Sequence, residues 1–221
     1  MHAAFANRLA AGRKLGQALA AYDDWPGAIV LGLPRGGVPV AFEVAKALQR
    51  PLDICLVRKL GAPGQEELAM GAIASGNVRI LNPDILQWLE IPAAILEKVV
   101  RREQKELHRR EQHYRGDLPQ LNLQGRTVIL VDDGIATGAT VRAAIAAVRK
   151  RGAARVIVAT PVAAQSVCAE VQREVEALVC LLTPETLNAV GYWYEDFTQT
   201  SDGEVRHLLA AAKPFAWAAP F

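Results

Sequence analysis

Two adjacent carboxylates followed by a loop of small residues stand out in this chain: Asp132-Asp133-Gly134-Ile135-Ala136-Thr137-Gly138-Ala139-Thr140. A β-rich apolar run, Thr127 to Val131, leads into the acids, and Val141-Arg142 follow the loop. Val141, Ile145 and Val148, spaced i, i+4, i+7, predict a helix beyond it. Strand, tight polar loop and helix together offer backbone N–H groups to a phosphate at a helix N-terminus. Gly138 permits close approach of the backbone, and the Thr137 and Thr140 hydroxyls can donate further hydrogen bonds. Asp132 and Asp133 would repel a phosphate at that spot. They make sense beside one only if a polyhydroxylated group or a metal ion lies next to it.

Three other stretches carry groups capable of chemistry. Ala28 to Leu33 reads as a buried strand that runs into Pro34-Arg35-Gly36-Gly37, with Val40, Val44 and Leu48 on one face of a following helix. Asp53 to Val57 reads as a strand ending at Arg58-Lys59. The next segment, Leu60 to Ala69, has Gly61, Pro63, Gly64 and the acids Glu66 and Glu67. A loop punctuated by Gly and Pro, with two cations at its root, fits a lid that closes over a polyanion. Near the C-terminus, Leu187 to Phe197 gathers Tyr192, Trp193, Tyr194 and Glu195. Gly-x-Gly-x-x-Gly and Gly-x-x-x-x-Gly-Lys are both absent, so neither a dinucleotide fingerprint nor a Walker loop is present. His108 and His113 are five apart and make a poor metal pair, while His2 and His207 have no companions.

The Asp-Asp stretch resembles the phosphoribosyl pyrophosphate motif of type I phosphoribosyltransferases, in which hydrophobic residues precede two acids and a small-residue loop. That resemblance implies that Asp132 and Asp133 take the ribose hydroxyls, with a magnesium ion nearby. Ala136, Thr137, Gly138, Ala139 and Thr140 would then wrap the 5′-phosphate. It implies that Arg35, Gly36 and Gly37 form the pyrophosphate loop, with a non-proline cis peptide at Pro34–Arg35. It also makes Leu60 to Ala69 the flexible catalytic loop, with Arg58 and Lys59 stabilising the departing pyrophosphate. Glu66 or Glu67 is then the candidate general base. The Leu187–Phe197 segment is similar to the hood of six-oxopurine salvage enzymes, with Glu195 at the position of an acid near the metal. Two departures stand against hypoxanthine or guanine: Asn188 occupies the base-stacking position, and Ala136 replaces an acid suited to proton transfer. Tyr192, Trp193 and Tyr194 could pack on a base or in an interface. The implied activity is transfer of phosphoribosyl to a nitrogen nucleophile on a small-molecule acceptor, in nucleotide salvage. The alternatives are a non-catalytic regulator that binds the same ligand and a hydrolase of another phospho-sugar.

The elements that must hold these loops are strands alternating with helices. Arg155–Thr160 and Ala177–Leu182 add two buried strands to the three above. The expected fold is therefore α/β of the type I phosphoribosyltransferase kind: a central, mostly parallel five-stranded sheet flanked by helices, in one domain spanning 1–221. The three loops fall at the carboxyl ends of strands, where ligands gather in such sheets. A small hood is expected at about 183–200 and a helical insertion at about 83–116. Met70–Ile73 and Val78–Leu81 read as a hairpin, Asn82 as a helix cap, and Pro92 as the start of a long helix over Ala93–Arg115. Glu97/Arg101, Glu106/Arg110 and Glu111/Arg115 would brace that helix as i, i+4 pairs and leave it solvated and facing a partner. Asp202 is expected to cap the final helix. The apolar tail Pro214 to Phe221 would dock on a neighbour, and a homodimer is expected.

Composition narrows the classes further. At 221 residues, with 51 % apolar and 22 % charged residues, the chain is globular. A net charge of +2 argues against nucleic acid as a main partner. Cys55, Cys168 and Cys180 are widely spaced in apolar surroundings, which points to reduced thiols in a cytoplasm. No apolar run approaches a membrane span. Phe5, Leu9, Leu15 and Leu19 share one helical arc, so the N-terminus reads as a docking helix rather than a transit peptide.

Overall fold

A computed structural model of the chain describes residues 3–22, 25, 27–116 and 119–212. His2, Asp23 and the tail Pro214–Phe221 lie outside the described residues, as does the side chain of Glu67. The chain opens with α1 (Arg8–Tyr22), β1 (Ile29–Gly32), α2 (Gly37–Leu48) and β2 (Leu52–Ile54). Next come β3 (Val57–Ala62), β4 (Gln65–Ala74), β5 (Val78–Leu81), α3 (Pro83–Trp88) and α4 (Ala93–Arg115). The second half contains β6 (Thr127–Val131), α5 (Ala139–Lys150), β7 (Arg155–Val162), α6 (Gln165–Gln172), β8 (Ala177–Leu182) and α7 (Asp202–Ala211).

Five strands form a wholly parallel sheet in the order β2-β1-β6-β7-β8. Every residue of β1 and β6 is buried, because helices cover both faces and the strands read as unbroken apolar runs. Val141, Ala144, Ile145 and Val148 of α5 pack on one face with Leu130 and Val158. Leu15 and Leu19 of α1 pack on the other with Val40 and Val44 of α2 and Ile129 and Ile157 of the sheet. The first helix departs from the expected arc. Leu15 and Leu19 are buried in it, but Phe5 lies ahead of it and bridges to Tyr194. Gly12 and Gly16 set the helical face instead, since a Cβ on Gly12 would lie 2.8 Å from the Val40 carbonyl oxygen of α2. β8 is half-exposed rather than buried, as befits the edge of the sheet.

The segment expected to be one strand followed by a loop is built differently. Asp53–Val57 breaks after Ile54, and Val57 begins a second sheet of three antiparallel strands, β3-β4-β5. Leu60–Ala69 is accordingly a strand pair, with Ala62 opposite Gln65. Pro63 and Gly64 form its two-residue turn, and the positive φ of 74° at Gly64 is the conformation glycine adopts at no steric cost. The β4–β5 hairpin turns at Ser75–Asn77 as expected.

α4 spans the expected residues and is half-embedded rather than simply solvated. Leu96, Val100, Leu107 and Tyr114 join Leu60 and Met70 of the second sheet and Val205 and Leu208 of α7 in one cluster. Of its expected internal ion pairs, Glu106–Arg110 and Glu111–Arg115 form, at 2.8 and 3.3 Å. Glu97 instead meets Arg79 of β5 at 2.5 Å, because the helix lies against that sheet. Arg115 anchors the helix end to β2 through Asp53 (2.7 Å) and the Ile54 carbonyl (2.8 Å). The final helix is capped by Ser201, whose Oγ accepts the Glu204 N–H, and not by Asp202. Ser201-x-x-Glu204 has the spacing of a capping box, which frees Asp202 for tertiary contacts. Among the described residues, no helix is long and apolar enough to cross a membrane.

Candidate active site

β1 and β6 are neighbours in register, with Gly32 opposite Val131, so their following loops leave the same sheet edge side by side. The Leu33 N–H donates to the Val131 carbonyl at 2.9 Å and ties the two exits together. Beyond them, the Pro34–Arg35 peptide is cis. The glycines that follow let the loops touch. A Cβ at Gly37 would fall 2.7 Å from the Val131 carbonyl oxygen and 3.0 Å from the Cα and Oδ1 of Asp132. One at Gly36 would fall 2.6 Å from Asp133 Cγ. These glycines therefore make room for the aspartates as well as for any ligand.

After the acids, Ile135 returns to the sheet through its N–H to the Val162 carbonyl (2.9 Å). The chain then turns outward through exposed Ala136 and Thr137. Gly138 sits at the N-cap of α5 with φ 75°, a left-handed conformation that bulkier residues resist, and no side chain caps the helix. Among the described residues, the Ala136, Thr137 and Gly138 amides have no internal acceptor. Unsatisfied amides, a helix N-terminus and the exposed Thr137 and Thr140 make a cradle suited to a phosphate.

Asp132 and Asp133 are half-buried at the rim. The Asp133 N–H donates to Asp132 Oδ1 at 2.9 Å. Desolvation, and next the neighbouring Asp133 charge, push the Asp132 carboxyl well above its ordinary value. Asp133 is held on both sides: Arg8 Nε donates to its Oδ2 at 2.6 Å, and the Tyr194 hydroxyl donates to its carbonyl at 2.5 Å. Burial raises the Tyr194 hydroxyl's pKa, so it remains a donor. For a magnesium ion, the chemistry of this donor set fits a shared site rather than an all-protein cage. Magnesium commonly takes one or two carboxylates and fills its remaining positions with water and substrate oxygens. Among the described residues, no group of three or more metal-ligating side chains is gathered, so Glu195, which is exposed, does not complete a cluster with the pair.

The other expected residues lie elsewhere. Arg35 reaches toward Asp202 at 3.5 Å; Asp202 also accepts the Tyr114 hydroxyl at 2.7 Å, which holds its carboxyl below the usual range. Arg58 and Lys59 stand within β3, where Arg58 Nε pairs with buried Glu103 of α4 at 2.6 Å. Glu66 lines a groove of about 440 Å³ between the hairpin tip and α4, together with Ile95, Lys98 and Arg102. Tyr192 is 77 % exposed. Trp193 offers its carbonyl to the N–H groups of Ala4 and Phe5, so the segment is stitched to the N-terminus. The aromatic residue that reaches the acidic motif is Tyr194. Sequence reasoning placed Tyr194 only on a base or in an interface and missed Arg8: partners 61 and 125 residues away leave no local pattern to read.

Adjacent strand ends carrying a glycine loop and an acid pair with a phosphate cradle define the type I phosphoribosyltransferase fold. The chain belongs to the phosphoribosyl transferase domain family, which matches residues 5–180. It is 48 % identical over 208 residues to Rv0571c of Mycobacterium tuberculosis strain H37Rv, named provisionally as a phosphoribosyl transferase. It matches MT0597 of strain CDC 1551 equally. The match covers 94 % of this chain and 47 % of either relative, so the chain spans about half the length of these curated relatives. Among solved structures it is similar to TT1426 from Thermus thermophilus, with 40 % identity and a TM-score of 0.84 over 94 % of this chain and 98 % of that one.

Proposed function

We propose that the chain transfers the phosphoribosyl group of phosphoribosyl pyrophosphate to a nitrogen nucleophile on a small-molecule acceptor, releasing pyrophosphate. The observation that carries this reading is the contact between the two loops. Gly36 and Gly37 lie directly against Asp132 and Asp133, and the open amides of Ala136–Gly138 lie just beyond. A ligand with diphosphate at one end, vicinal hydroxyls in the middle and phosphate at the other matches that order.

In this reading the anomeric carbon–oxygen bond to pyrophosphate breaks and a carbon–nitrogen bond forms, while the acceptor nitrogen gives up its proton. Asp133 and Asp132 accept the ribose hydroxyls and hold the ring as positive charge builds on it. The Ala136–Thr140 loop fixes the 5′-phosphate, and the Arg35–Gly37 loop receives the pyrophosphate. Magnesium, held by the acid pair and the substrate, would supply charge neutralisation for the leaving group. The β3–β4 hairpin, with Arg58, Lys59, Glu66 and Glu67, is the element we assign to closure over the substrate; the proton acceptor is drawn from its two glutamates. Residues 83–116 serve as an insertion that carries this hairpin, and 183–200 as the hood. Free thiols, two of the three buried, fit a cytoplasmic protein, and a homodimer completes the reading.

Pyrophosphate release measured across a panel of purine, pyrimidine and amine acceptors tests it. A transferase turns over at least one acceptor, and Lys59→Ala lowers turnover far more than affinity. Tight phosphoribosyl pyrophosphate binding with no turnover on any acceptor would mark a regulatory binding protein instead.

A further inference from the structure

We infer that the outward face of α4 and the tip of the β3–β4 hairpin form a second binding site, for a nucleoside triphosphate. Its phosphates lie along the cations of the helix, and its base enters the groove beside the hairpin. None of the residues used belongs to the loops after β1 or β6. The site meets the transferase reading only at the hairpin, which is one wall of the groove.

Acids and bases are interleaved along the sequence of α4, but the folded helix sorts them. Glu97 is taken by Arg79 of β5, and Glu103 is buried against Arg58 of β3. Glu111 accepts from Arg115 and Gln120 at 3.3 and 2.8 Å. Lys98, Arg101, Arg102, Lys105 and Arg109 are left exposed. Lys98, Arg102, Lys105 and Arg109, at i, i+4, i+7 and i+11, make one stripe about 16 Å long. Together with Arg101 and one acid, Glu106, they line a groove of about 540 Å³. Glu106 is already engaged: Arg109 and Arg110 donate to it at 2.7 and 2.8 Å, and these hydrogen bonds lower its carboxyl to about 2. Among the described residues, Lys98, Arg101 and Lys105 have no acidic partner. Like charges this close on a helix repel one another, and a polyanion relieves the repulsion.

The neighbouring groove has apolar walls. About 440 Å³ in volume, it runs between Pro63 at the hairpin tip and Ile95 and Val99 of α4, with Ile95 39 % exposed. Lys98 and Arg102 line both grooves and so join them. Volumes of this size are usual for small-molecule sites. A bare polyanion would leave Pro63, Ile95 and Val99 uncovered, and an apolar ligand would leave the cations unpaired. A flat ring carrying a chain of phosphates satisfies both. Lys98 and Arg102, at the join, take the first phosphates, and Arg101 and Lys105 take the last. Arg102 can also lie over the face of the ring, and Glu66 on the rim can accept one of its N–H groups.

Calorimetric titration of the full chain with ATP, GTP and CTP, without magnesium, tests this, with inorganic tripolyphosphate and adenosine as comparison ligands. At least one nucleoside triphosphate should bind about tenfold or more tightly than tripolyphosphate, with adenosine weaker than both. Lys98→Ala combined with Lys105→Ala should weaken that nucleotide by about tenfold or more. Ile95→Gln should weaken the nucleotide by about threefold or more and leave tripolyphosphate unchanged. All three positions are exposed, and hydrogen exchange locates the ligand independently: amides of 61–66 and 95–105 should slow when it binds. The Asp132→Asn, Asp133→Asn variant should keep the nucleotide affinity within about twofold, so the result is read apart from the transferase reading. No nucleotide binding beyond that of tripolyphosphate overturns the inference. So does loss of nucleotide binding in the aspartate variant with none in the lysine variant, which would put the nucleotide at the sheet edge. An oligonucleotide without a terminal phosphate that binds as tightly as the triphosphate would overturn it in favour of a nucleic-acid surface.

Discussion

Gly37→Ala tests the claim that the two loops form a single site. The added methyl would meet the Val131 carbonyl oxygen at 2.7 Å and the Asp132 Cα at 3.0 Å. Ordinary contacts at such atoms begin near 3.4 Å, so the loops must part by roughly half an ångström. Neither neighbour can yield easily: Val131 ends a fully buried central strand, and its carbonyl already accepts the Leu33 N–H. Overpacking of this kind costs about 1–3 kcal/mol, or roughly 3–10 °C in midpoint for a chain of this length. The same displacement moves the glycine loop away from the acids. Misplacements of about 1 Å can cost on the order of a hundredfold in rate, so a loss of about tenfold in phosphoribosyl pyrophosphate affinity is expected. Thermal denaturation and calorimetry measure the two effects. Gly125→Ala is the control: its φ of 69° strains an alanine, but nothing lies within 4 Å of the new methyl. It should lower stability by about 1 kcal/mol and leave affinity unchanged. If Gly37→Ala matches wild type in both midpoint and affinity, the loops are not mechanically joined and the reasoning fails.

Asp132→Asn should stabilise the free chain while impairing ligand binding. Because burial and Asp133 raise its carboxyl pKa, the folded state binds that proton more tightly than the unfolded state does. The penalty is absent below the ordinary value of 3.8 and grows as the pH rises toward the folded value. At neutral pH, removing it should raise the midpoint by a few degrees, for about 1 kcal/mol; no gain over wild type at pH 7 would contradict the cause given. Arg115→Ala strips the partner from buried Asp53 and frees the end of α4, so stability should fall by about 3–5 kcal/mol in urea unfolding. A loss below about 1 kcal/mol would show that α4 is anchored elsewhere. Burial pushes the Cys55 thiol up to about 12, so a disulfide reagent at pH 8 should label it only after denaturation.

The strands of the central sheet were legible because each is a short unbroken apolar run, as in Thr127–Val131, and a parallel sheet covered on both faces demands that pattern. The loop before α5 was legible because its parts are consecutive, and the cis peptide at Pro34–Arg35 followed from resemblance rather than from composition. The β3–β4 hairpin was hidden because Gly61, Pro63 and Gly64 read as a loop, although Pro63-Gly64 is also a two-residue turn. Phe5 fitted a helical arc by spacing but is drawn out of it by pairing with the Tyr194 segment. The pairing of Arg58 with Glu103 of α4 was not legible either, because the two lie 45 residues apart. Arg8 and Tyr194 were illegible for the same reason. Their contacts form only once the segments around Arg8 and Tyr194 fold back over Asp133, and no short-range spacing encodes a contact of that separation.

Calorimetric titration of phosphoribosyl pyrophosphate into the magnesium-containing wild type and the Asp132→Asn, Asp133→Asn double variant tests the central claim most directly. The wild type should bind one equivalent, and the double variant should lose at least about a hundredfold in affinity while remaining folded, because two acceptors of the ribose hydroxyls are gone. Equal affinity in the two proteins, or no binding by the wild type, would show that the edge between β1 and β6 is not where this ligand sits.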